Sequence, residues 1–468
     1  MQHDVKNMQQ DEETRLNKPI TTNFLLRFTI PTILSMVIMG VFGTVDGIFA
    51  SRGINHEALA AVNFVAPFFS ITMAIGMMLS MGGCALVAKR KGEGKHRQAR
   101  ENFSFLTLIT FVSSIAISLG SWILRTPLLR LLGTDYAVMD MAMDYLQPLI
   151  IVMPFVLLGV FLVQFMIAEG QPMLGMIMSG CGSVISAILN AIFIFVLELG
   201  VPGLAWATGI GWMVPTLLGL SYFALARKGT LYFVKPKWDT FALWRSSLNG
   251  ISEMITAAAF TVTTIVMNNV LVRLVGWEGV AAAGIVMAAQ GVLSSLFFGY
   301  AAGVAPVVSY NFGRLDRERL NILFRKSLGI VGVLSLIALV GTLVFADPLV
   351  RIYVSPNDPF MGHLHAMAMR GLRIAAMSFI IMGFNTFATN WFTAFNDGLI
   401  SGLMSVMRTM VFALILLVTL PRVWGLDGVW VALPLAEVLA ITLTMFFLWK
   451  MGDKYMYRAK GKLRGLGV

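Results

Sequence analysis

A single acidic residue, Asp46, lies in the first long apolar segment of the chain, which runs from Phe24 to Ser51. A carboxylate at membrane depth is costly unless it faces water, an ion or a hydrogen-bonding partner, so such residues usually serve function. Burial favours the neutral acid over the carboxylate, so a buried aspartate can take up and release a proton near neutral pH. Asp46 is therefore the first candidate for chemistry. The alternative is an acid that only fixes packing through hydrogen bonds.

Other polar residues within apolar segments form a second group of candidates. Asn190 and Gln164 would either hold the Asp46 carboxylate as neutral hydrogen-bonding partners or only link helices. Glu253 would contribute to a cavity or gate, or would lie at the membrane surface near the cytosol. The remaining candidates for a substrate or ion cavity are the amides Asn268 and Gln290.

Two further charges, Arg408 and Glu437, lie among apolar residues near the C-terminal end of the chain. Charges in such surroundings normally pair with each other or with backbone carbonyl groups. We therefore expect a structural or gating role for both, rather than chemistry.

Neither enzyme chemistry nor a metal site is indicated. The five histidines all lie in the N-terminal tail or in loops, and no HExxH or GxSxG motif is present. Cys84 and Cys181 lack the spacing of a zinc site or a disulfide framework. We expect no cofactor, no bound metal and no enzymatic activity.

The composition identifies a polytopic membrane protein. Hydrophobic residues form 57% and charged residues 13% of the 468 residues, and the mean hydropathy is +0.79. Soluble proteins average about 25% charged residues. The net charge of +11 does not indicate a nucleic-acid partner, because the basic residues cluster in loops. The polar segment 1–23 reads as a cytosolic tail rather than a signal peptide.

Twelve apolar segments are long enough to cross a bilayer as helices, since about 20 residues are needed. The prediction is an all-α protein with twelve transmembrane helices. The predicted spans are 24–50, 58–87, 103–124, 142–168, 172–196, 202–226, 247–275, 280–309, 321–346, 366–394, 399–420 and 427–450.

The distribution of basic residues predicts the orientation. The loops after the second, sixth and eighth spans are rich in Lys and Arg, as is the C-terminal tail, and all lie on one side of a twelve-span protein. The positive-inside rule places that side in the cytoplasm. We expect a multi-pass protein of the inner (plasma) membrane with both termini cytoplasmic.

The two halves of the chain resemble each other. Segment 83–103 matches 303–324, and GVPGLAWAT (200–208) matches GLDGVWVAL (425–433), each at a separation close to half the chain. Because each half has six spans, the repeats are parallel and related by an axis along the membrane normal. The predicted organisation is a tail (1–23), an N-lobe (24–226), a cytosolic linker (227–246), a C-lobe (247–450) and a basic cytosolic tail (451–468).

These features resemble the multidrug and toxic compound extrusion (MATE) family of secondary antiporters. The similarity extends over residues 20–450 and rests on several motifs in order. They are VDGIFAS, LNAIFIF, LGVPGLAWAT, SLNGISEM, AAGVAPVVSYNFG and LPRVWGLDGVWVALPLAE. The resemblance implies a V-shaped fold of two pseudo-symmetric six-helix lobes around a central cavity.

The resemblance also suggests the coupling ion. Asp46 matches the aspartate that proton- or sodium-coupled members keep in the first span. Asn190, Ser186 and Val163 occupy positions where sodium-binding relatives supply a second carboxylate and amides. A hard cation needs several oxygen ligands, so coupling to protons is expected, with sodium remaining an alternative.

The expected function is proton-coupled efflux of amphipathic, cationic organic compounds or drugs. The expected partners are these small molecules, the coupling ion and the lipid bilayer, with the protein working as a monomer. An alternative with the same architecture is a flippase for a lipid-linked saccharide or another lipid-like substrate. An intramembrane enzyme and a channel are further alternatives, although no motif for either is visible.

Overall fold

The computed structural model describes residues 16–132, 138–225, 229–351, 354 and 362–458. Every regular element among them is helical. The first half contains α1 (Thr22–Gly53), α2 (His56–Gly92), α3 (His96–Ile123), the short α4 (Arg125–Leu131), α5 (Met139–Ala168), α6 (Pro172–Ala191) and α7 (Gly200–Leu225). The second half contains α8 (Thr240–Val275), α9 (Trp277–Gly313), α10 (Arg317–Arg351), α11 (Gly362–Ala376), α12 (Phe379–Ala394), α13 (Gly398–Val406), α14 (Ala413–Thr419) and α15 (Pro421–Met451).

The prediction of twelve spans is confirmed. Among the described residues, 11 helices are long and apolar enough to cross a membrane, and counting the bent pair α11 and α12 as one broken span gives twelve. Most helices extend beyond the predicted boundaries because they continue through polar residues outside the hydrocarbon region. The break between α11 and α12 bends the span by 54° and was not predicted.

Several helices begin at residues whose side chains cap the free backbone N–H groups of the first turn. Thr21 accepts a hydrogen bond from the Phe24 amide, and Asn55 accepts one from Ala58. Asp397 caps α13 in the same way. These caps fix where α1, α2 and α13 start.

Two π-helical segments interrupt equivalent spans of the two halves. Ile192–Val196 continues α6, and Met407–Phe412 joins α13 to α14. An extra residue in a helical turn rotates the side chains that follow it and often marks functional positions. Asn190 lies just before the first π segment, and Arg408 lies within the second.

The two halves, called the N-lobe (α1–α7) and the C-lobe (α8–α15), contact each other through backbones that approach closely. A Cβ atom built at Gly250 of α8 would overlap the Met78 carbonyl oxygen of α2. Gly313 of α9 meets the Lys89 carbonyl of α2 in the same way. Both contacts lie toward the end of the helix bundle that carries the described N- and C-terminal segments, here called the terminal face. The lobes are therefore closed against each other on that side.

The segments outside the spans pack onto the lobes. In the connection between the lobes, Leu231 is buried and Phe233 stacks on Phe103 of α3 with ring centroids 5.3 Å apart. Residues 229–239 thus pack on the N-lobe, and α8 begins at Thr240, inside the predicted 227–246 linker. At the other end of the chain, Tyr455 and Tyr457 are buried against the C-lobe. Residues 1–15, 227–228 and 459–468 of the predicted tails and linker lie outside the described residues.

Candidate functional site

The Asp46 carboxylate accepts a hydrogen bond at each oxygen. The Asn190 Nδ2 group donates to Oδ1 over 2.8 Å, and the Thr208 hydroxyl donates to Oδ2 over 2.8 Å. Both donors are neutral, and no ion pair of Asp46 is found among the described residues. The three side chains come from α1, α6 and α7, so the site forms only when these helices pack together.

Small residues bring α6 and α7 close enough to share this carboxylate. A Cβ atom built at Gly182 would lie 2.5 Å from the Gly211 carbonyl oxygen, and one at Gly211 would lie 2.7 Å from the Ser186 Cβ. Helices approach this closely in membranes where side chains are small. A hydrogen bond of 2.6 Å between the Ser35 and Ser179 hydroxyls fixes α1 against α6. These contacts position Asn190 and Thr208 on either side of Asp46.

The carboxylate faces a cavity of about 150 Å³ inside the N-lobe. Asp46 is the only ionisable residue among its described lining residues, which also include the hydroxyl of Ser186 and the side chains of Met73, Phe69 and Trp212. One water occupies about 30 Å³, and drug-sized ligands need pockets of about 300 Å³ or more. The cavity can admit several waters and a cationic group, but not a whole drug molecule.

The structure does not bring Gln164 to Asp46. Gln164 lies near the end of α5 at the terminal face, whereas Asp46 lies about 36 Å along α1 from that face, at 1.5 Å per residue. Gln164 is 2% exposed, and its backbone carbonyl accepts a weak hydrogen bond from the Cys84 thiol. It belongs to the N-lobe core, and Thr208 takes the place that the sequence assigned to it.

In the C-lobe, Arg408 and Glu437 form an ion pair. The Arg408 Nε donates to Glu437 Oε1 over 2.8 Å, and both side chains are 12% exposed. The Asn385 amide donates to Glu437 Oε2 over 2.7 Å, and the Thr444 hydroxyl donates to Asn385 Oδ1 over 2.8 Å. The network links the spans of α12, α13 and α15, and it satisfies a buried charge pair with additional hydrogen bonds. Asn385 and Thr444, like Thr208, were not identified from the sequence.

The C-lobe ion pair lines a second cavity, of about 250 Å³, together with Gln290. Glu253 and Asn268 do not belong to its described lining. Glu253 lies about three and a half turns into α8, which begins at Thr240, and so is not at the end of this helix. Among the described residues, Arg408 pairs with Glu437 and not with Glu253. The cavity candidates therefore divide between two lobes and do not form one central site.

Within the described part of the chain, no group of three or more His, Cys, Asp or Glu side chains is arranged to hold a metal ion.

Thr208 was missed because an uncharged hydroxyl in an apolar span gives a weak signal. Thr208 ends the GVPGLAWAT motif (200–208) used above for the repeat and the resemblance, but the motif assigned no role to this hydroxyl.

Known proteins are similar to this chain in both sequence and fold. The multidrug export protein MepA of Staphylococcus haemolyticus is 24% identical over 433 residues, which covers 92% of this chain and 94% of that protein. MepA of Staphylococcus aureus is 21% identical over 435 residues, with the same coverage.

Two solved structures show the same arrangement of helices. An outward-facing multidrug resistance MATE transporter of the MOP superfamily superposes with a TM-score of 0.87 at 19% identity, covering 93% of this chain and 96% of that one. A MOP superfamily transporter from Pyrococcus furiosus also gives 0.87 at 19% identity, covering 95% and 98%. The predicted two-lobed, V-shaped MATE-like fold is thereby confirmed.

The family comparison divides the chain at the same place as the internal repeat. The MatE family model matches residues 31–192 and again residues 254–419, one segment in each lobe and together well over half of the chain. The predicted family is therefore correct, and this chain belongs to the MatE family of membrane transporters.

Proposed function

We propose that this protein exports amphipathic organic cations across the plasma membrane in exchange for protons, and that Asp46 carries the proton. The observation that supports this most is the Asp46 site itself. It is a lone carboxylate on a cavity, held at both oxygens by neutral donors from α6 and α7. The name of the MepA relatives, multidrug export proteins, supports the substrate class.

The hydrogen-bonding groups around Asp46 suit a proton better than sodium. Sodium needs several oxygen ligands that point at one position. Here the nearest groups, Asn190 Nδ2 and the Thr208 hydroxyl, donate to the carboxylate. The Asn190 Oδ1 atom is buried without a hydrogen-bond donor among the described residues. Rotation of this amide would let Oδ1 accept a hydrogen bond from protonated Asp46, so Asn190 can serve both protonation states.

Competition for the carboxylate then produces antiport. A cationic group that enters the N-lobe cavity favours ionised Asp46, whereas a proton neutralises it and removes the attraction. The aromatic rings of Phe69 and Trp212 in the cavity wall add further affinity for a cation. Because the cavity is small, it accepts only the charged end of the substrate in this conformation.

The C-lobe cluster, formed by Arg408, Glu437, Asn385 and Thr444, supports efflux rather than lipid-linked saccharide transport. A flippase for an anionic lipid-linked substrate would need unpaired cations in its cavity. Arg408 is the only cation among the described residues lining the C-lobe cavity, and Glu437 neutralises it. The cluster therefore does not supply the cationic surface that such a substrate requires.

Transport measurements in everted membrane vesicles test the proposal. A fluorescent organic cation should be transported when a proton gradient is imposed without sodium. It should not be transported when a sodium gradient is imposed at fixed pH. Asp46→Asn should abolish transport at normal expression, because the amide keeps the shape of the side chain but cannot titrate.

Two results would contradict this function. Transport driven by sodium alone, and not by protons, would rule out proton coupling and direct attention to Gln290 and Glu253 in the C-lobe. Wild-type transport by Asp46→Asn would remove the role of this carboxylate.

A further inference from the structure

An open cavity of about 440 Å³ lies at the terminal face, far from Asp46. On one side it is lined by the first residues of α1 and the segment before it, including Lys18, Phe24 and Arg27. On the other side it is lined by the turn between α5 and α6, residues Gly170 to Pro172. The proposed transport cycle makes no use of this cavity.

The cavity is positively charged. Lys18 and Arg27 are both exposed, and neither forms an ion pair among the described residues. No acidic residue lies among the described lining residues. The nearest carboxylate in sequence, Glu169, is buried and bound by the Lys91 ammonium at 3.3 Å and the Thr230 hydroxyl at 2.7 Å. Within the described part of the chain, the two cations therefore face the cavity without a carboxylate counter-charge.

Exposed apolar side chains of α1 and α6 continue from the cavity along the protein surface, and the strip between them is here called the groove. Ile30 and Leu34 follow Arg27 at helical spacing on α1 and are 45% and 46% exposed. Met173 and Ile177 of α6 are 55% and 44% exposed and continue from the turn that lines the cavity. The hydrogen bond between Ser35 and Ser179 closes α1 against α6 behind this groove.

We propose that this cavity and groove bind one anionic phospholipid from the leaflet at the terminal face. The phosphate-bearing headgroup lies between Lys18 and Arg27, and an acyl chain lies along the groove between α1 and α6. Cations near a membrane surface attract anionic headgroups in this way. The groove distinguishes a lipid from free phosphate, which has no apolar part to bury.

The lipid would link the N-lobe to the segment before α1, which is bound to the C-lobe. The segment that carries Lys18 is fixed to the C-lobe, since the Lys326 ammonium donates to the Ile20 carbonyl over 2.7 Å and the Arg319 guanidinium donates to the Asn17 carbonyl over 3.0 Å. The turn between α5 and α6 belongs to the N-lobe. Binding therefore stabilises the arrangement in which the lobes are closed on this side.

The test uses the full-length protein purified in detergent and titrated with phosphatidylglycerol or phosphatidylcholine, with the unfolding temperature as the readout. Phosphatidylglycerol should raise this temperature more than phosphatidylcholine does. The double variant Lys18→Gln/Arg27→Gln should bind phosphatidylglycerol roughly thirtyfold more weakly, from the attraction lost per cation. Lys18→Arg/Arg27→Lys, which keeps both charges, should retain binding.

The matched control is Lys235→Gln/Lys237→Gln, which removes two exposed cations from the connection between the lobes. This control should bind phosphatidylglycerol as the wild type does. Three results would overturn the site: full binding by the Lys18/Arg27 variant, an equal loss in the control, or the same stabilisation by inorganic phosphate alone.

Discussion

The Asp46 carboxylate depends on two donors that differ in what they contribute. Asn190 can donate or accept a hydrogen bond and can therefore follow a change in protonation. The Thr208 hydroxyl donates to Oδ2 and, through its place on α7, fixes the carboxylate against the cavity. Thr208 is thus a positioning residue in the proposed cycle, while Asp46 is the group that titrates.

Replacement of Thr208 separates positioning from titration. Thr208→Val keeps the size of the side chain but removes the hydrogen bond to Oδ2. A hydrogen bond to a charged group contributes about 1.5–3 kcal/mol, and only part of this energy serves to position Asp46 for transport. Proton-driven transport should therefore slow by roughly tenfold without being lost. The measurement is the initial rate of dye transport in everted vesicles at equal protein content.

Thr208→Ser is the matched control for this change. It restores the hydroxyl in a smaller side chain and should recover most of the wild-type rate. If the Val variant transports at the wild-type rate, or the Ser variant is as slow as the Val variant, the hydrogen bond does not position Asp46.

Single residues also show what the sequence can reveal about the site. Asp46 was identifiable because a carboxylate in an apolar span is rare, and Asn190 because it replaces an aspartate of the resembled family. Gln164 was misplaced although the predicted spans already separated the two residues in depth. Asp46 lies near the outer end of 24–50, and Gln164 lies near the cytoplasmic end of 142–168. Thr208 gave no comparable signal, since a hydroxyl in a membrane helix commonly bonds its own backbone.

Among the helices, the contact between α2 and α8 holds the lobes together at the terminal face. Gly82 and Gly250 allow the two backbones to approach, and any side chain at either position would meet a carbonyl oxygen of the facing helix. Exchange between a closed and an open arrangement of the two lobes needs a contact that can form and separate. Interlocking side chains would hinder this separation. This pair of glycines meets that requirement.

Gly250→Ala should prevent this contact from closing. The added methyl group overlaps the Met78 carbonyl, so α2 and α8 must move apart. A tightly packed contact between two backbones has no free space into which the methyl group can move. We expect loss of most transport activity and a lower unfolding temperature, measured on the purified protein. Gly284→Ala is the control, because nothing lies within 4 Å of a Cβ built at Gly284. Equal behaviour of both variants would show that the contact is unimportant.

Helix positions were predictable in outline but not in detail. Hydropathy located the twelve spans, since each needs an apolar stretch. It could not show that α8 starts at Thr240, because Arg245, Ser246 and Ser247 interrupt the apolar run that begins at Phe241. It also missed the bend between α11 and α12, which occurs without proline or glycine at Met377 and Ser378.

Across the protein, the repeat in the sequence gave the two-lobed architecture, and the basic loops predict its orientation. The repeat was detectable because both lobes use similar motifs at the end of the second span and at the start of the sixth span. The closed contact at the terminal face and the two separate cavities were not predictable, since they depend on how the lobes pack.

Cysteine labelling tests the orientation. In a Cys181→Ser background, where Cys84 is buried, cysteines at Lys95 and Lys235 should resist an impermeant thiol reagent in intact cells. A cysteine at Leu131, which is 84% exposed at the opposite face, should react. The reverse pattern would place the terminal face outside the cell.

The proposal that one carboxylate binds either a proton or a cationic substrate is tested most directly by proton release. An organic cation is added to the purified protein in weakly buffered solution below neutral pH, and the pH change is recorded. Because binding and protonation are linked, saturating substrate should release up to about one proton per protein. Asp46→Asn should release none. Binding without proton release in the wild type, or equal release by the variant, would contradict the proposed exchange at Asp46.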